Sequence, residues 1–279
     1  MMTDVVHART PSKQDKVPGK RTGSLLGKVS WRLLPSALFC VVVLTLWEAM
    51  ARAMASPLVP GLAEVAHEID RIVTRGLAFQ QIAITLGRIL LGFSAAFAVS
   101  LIGGIAAARN DFVRRFFDPA IILGLTVPGL VWALLCVIWF GIGIATPIVS
   151  IALGVAPAMV LYVIQGMKAV DAEIIEMAHL FRLRQRDVLL HIWIPSLIPY
   201  LIGGARVGLS LAWKVIVLVE LFGLSNGVGY QLNSEFSSQN VAGVLAWTIV
   251  FWLVMIFIEY GVLQTLERYA TAWRRTAKL

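Results

Sequence analysis

Long apolar runs alternate with short polar stretches along this chain. A bilayer core of about 30 Å takes about 20 apolar helical residues to cross. Six runs meet that length, at residues 33–54, 82–108, 120–140, 144–167, 197–222 and 241–263. Gly141, Ile142 and Gly143 part the third run from the fourth, which predicts a tight turn at one membrane surface. Pro128-Gly129 and Pro157 predict kinks that open backbone polar groups toward a cavity. Gly103-Gly104 and Gly203-Gly204 predict close helix approach. The strict alternation of a membrane β-barrel is absent. The expected fold is all-α, a polytopic bundle of six transmembrane helices.

The polar stretches divide the chain further. Segment 61–80 is too polar to span. Its Leu62, Val65, Ile69, Ile72 and Val73 recur at helical spacing, which predicts an amphipathic helix on the outer surface with a solvated His67. Residues 1–30 carry Arg9, Lys13, Lys16, Lys20, Arg21 and Lys28 among few large apolar residues and read as a mobile cytoplasmic tail. The run that follows is too long for a signal-peptide core and no small-residue cleavage site follows it, so it is expected to stay in the membrane. The expected domains are this tail, a transmembrane domain over 31–268 and a short cytoplasmic tail over 269–279.

Composition and charge set the class and the orientation. The 279 residues are 58% hydrophobic and only 14% charged, and the mean hydropathy is +0.81. A soluble domain has about a quarter of its residues charged. This composition excludes an ordinary soluble enzyme, a disordered chain and a disulfide-stapled module. Most of the +8 net charge falls on one side. That side holds the N-terminal tail, Arg109, Arg114 and Arg115, then Lys168, Arg182, Arg184 and Arg186, and finally Arg268, Arg274, Arg275 and Lys278. Arg71 and Arg75 fall on the other, with Arg52 at a span end. The lysine and arginine excess marks the cytoplasmic side, so both termini are expected inside. Topology and anionic lipid explain the charge better than nucleic acid does. Cys40 and Cys136 sit in apolar runs, which argues against a disulfide or metal framework. His7, His67, His179 and His191 are scattered over tail and loops, which argues against an integral-membrane enzyme.

The polar stretch between the fourth and fifth runs carries the most information. It holds Glu176-Met177-Ala178, then Arg182, then Pro195 and Pro199-Tyr200, and later Ala212-Trp213 and Glu220. This order resembles the EAA loop of permease subunits of ABC importers of the binding-protein-dependent type. It is closest to the sulfonate, taurine and nitrate branch. Leu86-Gly87-Arg88, Leu91-Gly92-Phe93 and Trp139-Phe140-Gly141-Ile142-Gly143 are similar to further motifs of that branch. Met177 replaces an alanine of the family pattern, and Arg182 stands where the family has a glycine that bends the loop. Arginine adopts positive φ less freely than glycine, so a differently shaped turn is expected there.

The resemblance implies a type I ABC importer permease fold and a bacterial, multi-pass inner-membrane subunit. It implies a homodimer, two copies of an ATPase that bind ATP and Mg, and an extracytoplasmic solute-binding protein. The EAA loop at about 168–194 would couple to that ATPase, with Glu173, Glu176, Met177, Ala178, Arg182, Asp187 and Pro195 as contact residues. The chain itself lacks a phosphate-binding loop: in the nearest segment, three residues part Gly23 from Gly27, and Val29 follows Lys28.

A transport pathway has candidates too. Arg206, Ser210 and Lys214 share one face of the fifth run, with Trp213 beside them. Such a cationic stripe suits a small anion. The same residues also fit a structural role, with Arg206 reaching toward the inner headgroups and Lys214 paired to Glu220 or Glu48. Glu220 is a candidate for either role. Trp132, Trp139 and Phe140, which lie with Cys136 along the third run, read as an aromatic interface belt. The alternative function is an ion-coupled secondary transporter, a class that usually shows internal repeats and a midplane ion site. No repeat is evident, and Glu48, Glu220 and Glu259 lie near span ends.

Overall fold

The structure is a computed structural model that describes residues 25–54, 56–265 and 268. Residues 1–24 and 269–279, which hold nearly all of both expected tails, lie outside the described residues. Every regular element among the described residues is helical. Helix α1 (Leu25–Met54) belongs as far as Met50 to a unit of its own, and its apolar side chains, among them Leu38, Phe39 and Leu46, are exposed.

The second unit holds ten helices among the described residues: α2 (Leu62–Thr74), α3 (Leu77–Arg109), α4 (Asp111–Thr126), α5 (Gly129–Phe140), α6 (Ala145–Lys168), α7 (Ala172–Leu180), α8 (Gln185–Val188), α9 (Ile194–Gly223), α10 (Val228–Ser237) and α11 (Val241–Ile256). Two π-helical stretches, Leu189–Trp193 and Phe257–Leu263, lead into α9 and extend α11. Segment 61–80 is therefore not one helix. Gly76, at φ 71°, closes α2, and the second span begins at Leu77. Buried Val65 and Ile72 seat α2 against α11.

Helices α3, α6 and α9 pack together as the centre of this unit. The buried face of α3 is a stripe of small and polar residues at every third or fourth position, including Thr85, Gly92, Ala96, Ser100, Gly104 and Ala107. A Cβ on Gly104 would lie 2.5 Å from the Cβ of Val163, and one on Gly204 would lie 2.9 Å from the Cβ of Tyr162. One glycine of each predicted pair thus makes a close approach. A Cβ on Gly103 would meet nothing within 4 Å, and one on Gly203 only an ordinary contact with Tyr162 at 3.6 Å.

These contacts also fix helix directions. Gly92 faces Ile151 and Gly104 faces Val163, so α3 and α6 run the same way. Gly204 faces Tyr162 and Gly208 faces Met159, so α9 runs against α6. Two neighbours that run the same way need a return crossing between them, and α4 with α5 supplies it. The third span that makes this crossing is bent rather than straight. Its two halves meet at 102°, and it begins at Asp111, not Ala120. Pro128 causes the break: it has no N–H, and it holds Val127 extended at ψ 124°. Asn110 starts the span by accepting the Phe112 N–H at 2.9 Å. Five helices are long and apolar enough to cross a membrane, and the bent pair makes six. By contrast, α6 runs on through Pro157 as one helix.

Candidate functional site

The loop after α6 is mostly helix. Asp171 caps α7 by accepting the Glu173 N–H at 3.0 Å. At its other end, Leu183 N–H donates to Ala178 O and Arg182 N–H to His179 O, both at 3.0 Å, in a Schellman turn. The residue in the left-handed position is Arg182, at φ 52°. The turn is thus not reshaped by the loss of the family's glycine: arginine takes the conformation glycine would take. Glu173, Glu176, Met177 and Arg182 are exposed, and Asp187 and Pro195 are half-buried. Ala178 is buried, so it seats α7 on its own chain rather than meeting a partner. Two apolar residues outside the predicted contact set, Leu180 and Phe181, stand 82% and 74% exposed beside Met177.

Pro195 and Pro199 do not end the loop. Residues Gln185–Gly223 form one helix of 39 residues. The Pro195 ring crowds the carbonyl four residues back, and the π-helical turn Leu189–Trp193 absorbs it. The loop's second half is therefore continuous with the span that carries the predicted pathway residues.

On that span, Arg206 forms an ion pair with Glu259 of the last π-helical stretch, N to O 2.9 Å. Ser210 and Trp213 line a 140 Å³ pocket together with Trp252, Met255, Glu259 and Tyr260. Trp213 also packs on Phe251, ring centres 5.8 Å apart. Lys214 does not join this pocket. It is exposed, with no hydrogen bond or ion pair among the described residues.

Glu220 lies elsewhere, fully buried at the other end of the bundle, and its partner is Arg88, not Lys214. Arg88 Nη1 donates to Glu220 Oε1 at 2.7 Å and to Asn226 O at 2.9 Å, and Nη2 donates to Asn226 Oδ1. The Thr85 hydroxyl lies 2.9 and 3.0 Å from the two carboxylate oxygens. Three successive amides at the start of α10 are taken by side chains. Gly227 N–H donates to Gln81 Oε1 at 2.6 Å, Val228 N–H to Thr85 Oγ1 at 2.9 Å and Gly229 N–H to Glu220 Oε2 at 3.0 Å. Gly227 sits at φ 104°, and a Cβ there would collide with the Glu220 carboxylate. Nearby, Glu235 of α10 accepts from Arg71 of α2 at 2.9 Å and from Asn240 at 2.8 Å.

Residues 99–265 match the family described as Binding-protein-dependent transport system inner membrane component. The chain belongs to that family. Over 268 residues, 94% of this permease and 92% of the relative, it is 28% identical to the putative aliphatic sulfonates transport permease protein SsuC of Bacillus subtilis (strain 168). It is 32% identical to the taurine transport system permease protein TauC of Escherichia coli (strain K12), covering 83% of this chain and 86% of that one. It is 26% identical to the nitrate import permease protein NrtB of Synechococcus elongatus, covering 71% and 74%. In fold it is similar to a chain of the inward-facing MetNI methionine ABC transporter, at a TM-score of 0.62 and 14% identity, with 71% of this chain and 98% of that one covered. The permease thus has the fold of type I ABC importer permeases, and its homologues move small solutes.

Of the pathway candidates, the permease brings Ser210 and Trp213 to one pocket with Glu259; Arg206 pairs with Glu259 but lines a separate apolar pocket with Phe97, Ile202 and Leu263, and Lys214 and Glu220 lie outside both. Neither Arg88 nor Glu259 was foreseen as a partner. One signal for the first pair was present: Gln81, Thr85 and Arg88 form a polar stripe at helical spacing in an otherwise apolar helix. No such local signal links Arg206 to Glu259. Among the described residues, no three His, Cys, Asp or Glu side chains gather as a metal site would require.

Proposed function

We propose that this permease forms the translocation pathway of an ABC importer for a small anion, such as a sulfonate, taurine or nitrate. It acts as a homodimer with two copies of a separate ATPase, which hold ATP and Mg, and it receives solute from an extracytoplasmic binding protein. Both termini face the cytoplasm of a bacterial cell.

Lys214 carries the reading. It is exposed on α9, nine residues and therefore about 14 Å from the helix end at Gly223. A charge at the centre of a membrane helix costs about 3 kcal/mol against lipid. That cost is avoided if this face of α9 borders water or a second subunit, and an aqueous pathway for an anion does both. The orientation rests on Arg109, Arg114, Arg115, Lys168, Arg182, Arg184 and Arg186. The parallel course of α3 and α6 puts these at one end of the bundle.

Coupling follows from continuity. The exposed Glu173, Glu176, Met177, Leu180, Phe181 and Arg182 form a mixed polar and apolar surface on the basic side, suited to a groove on the ATPase. Ala178 holds this surface to the chain, and Asp187 and Pro195 lie on the helix that becomes α9. Closure of the ATPase pair would move α7 and α8, and with them α9 and its pathway face, as rigid bodies in an alternating-access cycle.

Reconstitution with the ATPase and binding protein tests both parts. Lys214→Ala is expected to lower ATP-dependent uptake about tenfold, equivalent to about 1.4 kcal/mol, while the complex still assembles. Normal uptake by that variant refutes the anion pathway. ATPase association that survives deletion of residues 176–187 refutes the coupling surface. Uptake driven by an ion gradient without the ATPase identifies a secondary transporter instead.

A further inference from the structure

Helix α4 starts at the basic end of the bundle. Gly104 faces Val163 and α3 runs with α6, so Arg109 and Lys168, five residues beyond each, end their helices at one level. Val113, in the first turn of α4, packs on the cluster that Ala107, Ile121, Val160 and Ile164 form. Ala107 and Ile164 lie two and four residues inside those ends, or about 3–6 Å. With the basic ends at the membrane surface, the start of α4 lies where headgroups give way to acyl chains.

Two chemistries meet there. Phe112, Phe116 and Phe117 are 76%, 68% and 49% exposed and form a ladder, with ring centres 6.4 Å apart for the first two and 5.1 Å for the last two. Arg109 and Arg115 are exposed and Arg114 is half-buried, and their side chains make no hydrogen bond or ion pair among the described residues. Asp111 and Asp118 flank Arg114 and Arg115, and neither carboxylate forms an ion pair among the described residues. Asp111 lies in the first turn, where the helix N-terminus favours a carboxylate. With Lys168 the corner holds four cations against two carboxylates, a net +2. The inward side of α4 is taken: Ile121 joins the cluster, and Gly124 meets the Pro157 ring. Steps of about 100° per residue put Phe112, Arg115 and Phe116 on the opposite side. Exposed Ile122 and Leu123 continue that side deeper into the membrane.

What covers this face must be anionic at the level of the arginines and apolar below them. A phospholipid offers both in that order. An acidic protein surface would satisfy the guanidinium groups but not the apolar stripe that runs on toward the membrane centre. Arginine holds a phosphate through paired N–H bonds, and each basic residue near an anionic surface adds about fivefold in affinity. We infer that Arg109, Arg114 and Arg115, with the Phe112–Phe116–Phe117 ladder, form a docking site for the phosphate headgroup of an anionic phospholipid in the inner leaflet. Its acyl chains lie along Ile122 and Leu123. Because Gly124 seats α4 on α6, the bound lipid braces the first half of the bent span against the centre of the bundle. The leaflet, though not the headgroup chemistry, rests on the proposed cytoplasmic placement of the basic end.

The test uses the full-length permease in nanodiscs of phosphatidylcholine mixed with phosphatidylglycerol. Native mass spectrometry counts the lipids that stay bound on release. The parent is expected to retain phosphatidylglycerol in preference to phosphatidylcholine. Arg114→Gln with Arg115→Gln is expected to lower that retention about twentyfold, with the thermal unfolding midpoint in phosphatidylcholine alone unchanged. Arg114→Lys with Arg115→Lys keeps the charge but loses the paired N–H geometry, and a fall of about threefold is expected. That variant also carries the test if the neutral one does not fold. Phe112→Ser with Phe116→Ser is expected to lower retention of both lipids. Arg184→Gln with Arg186→Gln, exposed on the loop after α6, is expected to change nothing. Equal losses in the two neutral arginine pairs, the mark of a diffuse basic surface, overturn the site, and so does a parent that retains both lipids alike. A neutral variant that loses the ATPase but keeps phosphatidylglycerol makes the corner a protein contact and overturns the lipid. Thiol labelling of Glu173→Cys in intact cells tests the orientation separately. Labelling without permeabilisation overturns the inner leaflet and the cytoplasmic placement together, whatever the retention shows.

Discussion

Removing Arg88 is expected to be among the most damaging single changes in this bundle. Its guanidinium neutralises Glu220, whose side chain is 0% exposed, and also holds Asn226 through its carbonyl and side-chain oxygens. In Arg88→Met the apolar volume is largely kept, but the carboxylate is left without its counter-charge. Breaking one partner of a buried pair costs about 3–5 kcal/mol. Glu220 would still accept from Thr85 and Gly229, which favours the lower part of that range. At roughly 2–4 °C per kcal/mol for a chain of this size, the midpoint of thermal unfolding is expected to fall by about 10 °C. The double variant Arg88→Met with Glu220→Met removes both charges. It leaves the Gly229 N–H, the Thr85 hydroxyl and the two Asn226 oxygens short of a partner, with no buried charge among them, and is expected to regain about half of the loss. The assay is thermal unfolding of the purified permease in a nanodisc, with parent, both single variants and the double variant measured together. Single-variant losses below about 1 kcal/mol would refute the reasoning, and so would losses that simply add in the double variant.

Further outcomes follow from the same contacts. Arg182→Gly is expected to be tolerated and to slow amide exchange at the end of α7, since glycine takes φ 52° without steric cost; Arg182→Val is expected to speed that exchange about tenfold, because a β-branched residue is strained there. Leu180→Asp with Phe181→Asp is expected to abolish co-purification with the ATPase while leaving thermal stability unchanged, as both side chains are exposed. Gly104→Val is expected to destabilise the bundle by about 1–3 kcal/mol because the added atoms meet Val163, whereas Gly103→Ala, in open space, is expected to shift the unfolding midpoint little or upward.

The sequence by itself determined class and span count. Apolar length, composition and the order of motifs from Leu86 to Glu220 are one-dimensional quantities, and each survives in the structure. The exposure of Glu173, Glu176 and Met177 on α7 was also legible, because exposure on a short helix follows from local spacing. The sequence did not determine which polar residue meets which. Lys214 directly follows Trp213 and stands about one turn from Ser210, yet the pocket takes Glu259 from 45 residues further on and omits the lysine. Glu220 found Arg88, 132 positions away, because α3 and α9 run in opposite directions side by side. The bend in the third span was likewise only half-legible. Pro128 announced a break, but neither its 102° angle nor the return crossing that α4 and α5 make between the parallel α3 and α6 could be read from the sequence. Even Arg182, where chemistry argued for a different turn, kept the glycine's conformation, because the Schellman hydrogen bonds at both 3.0 Å outweigh a strain of about 1 kcal/mol. Burial and helix length are set by composition over a window, whereas pairing in a membrane is set by which helices lie next to each other, and only the packed bundle decides that.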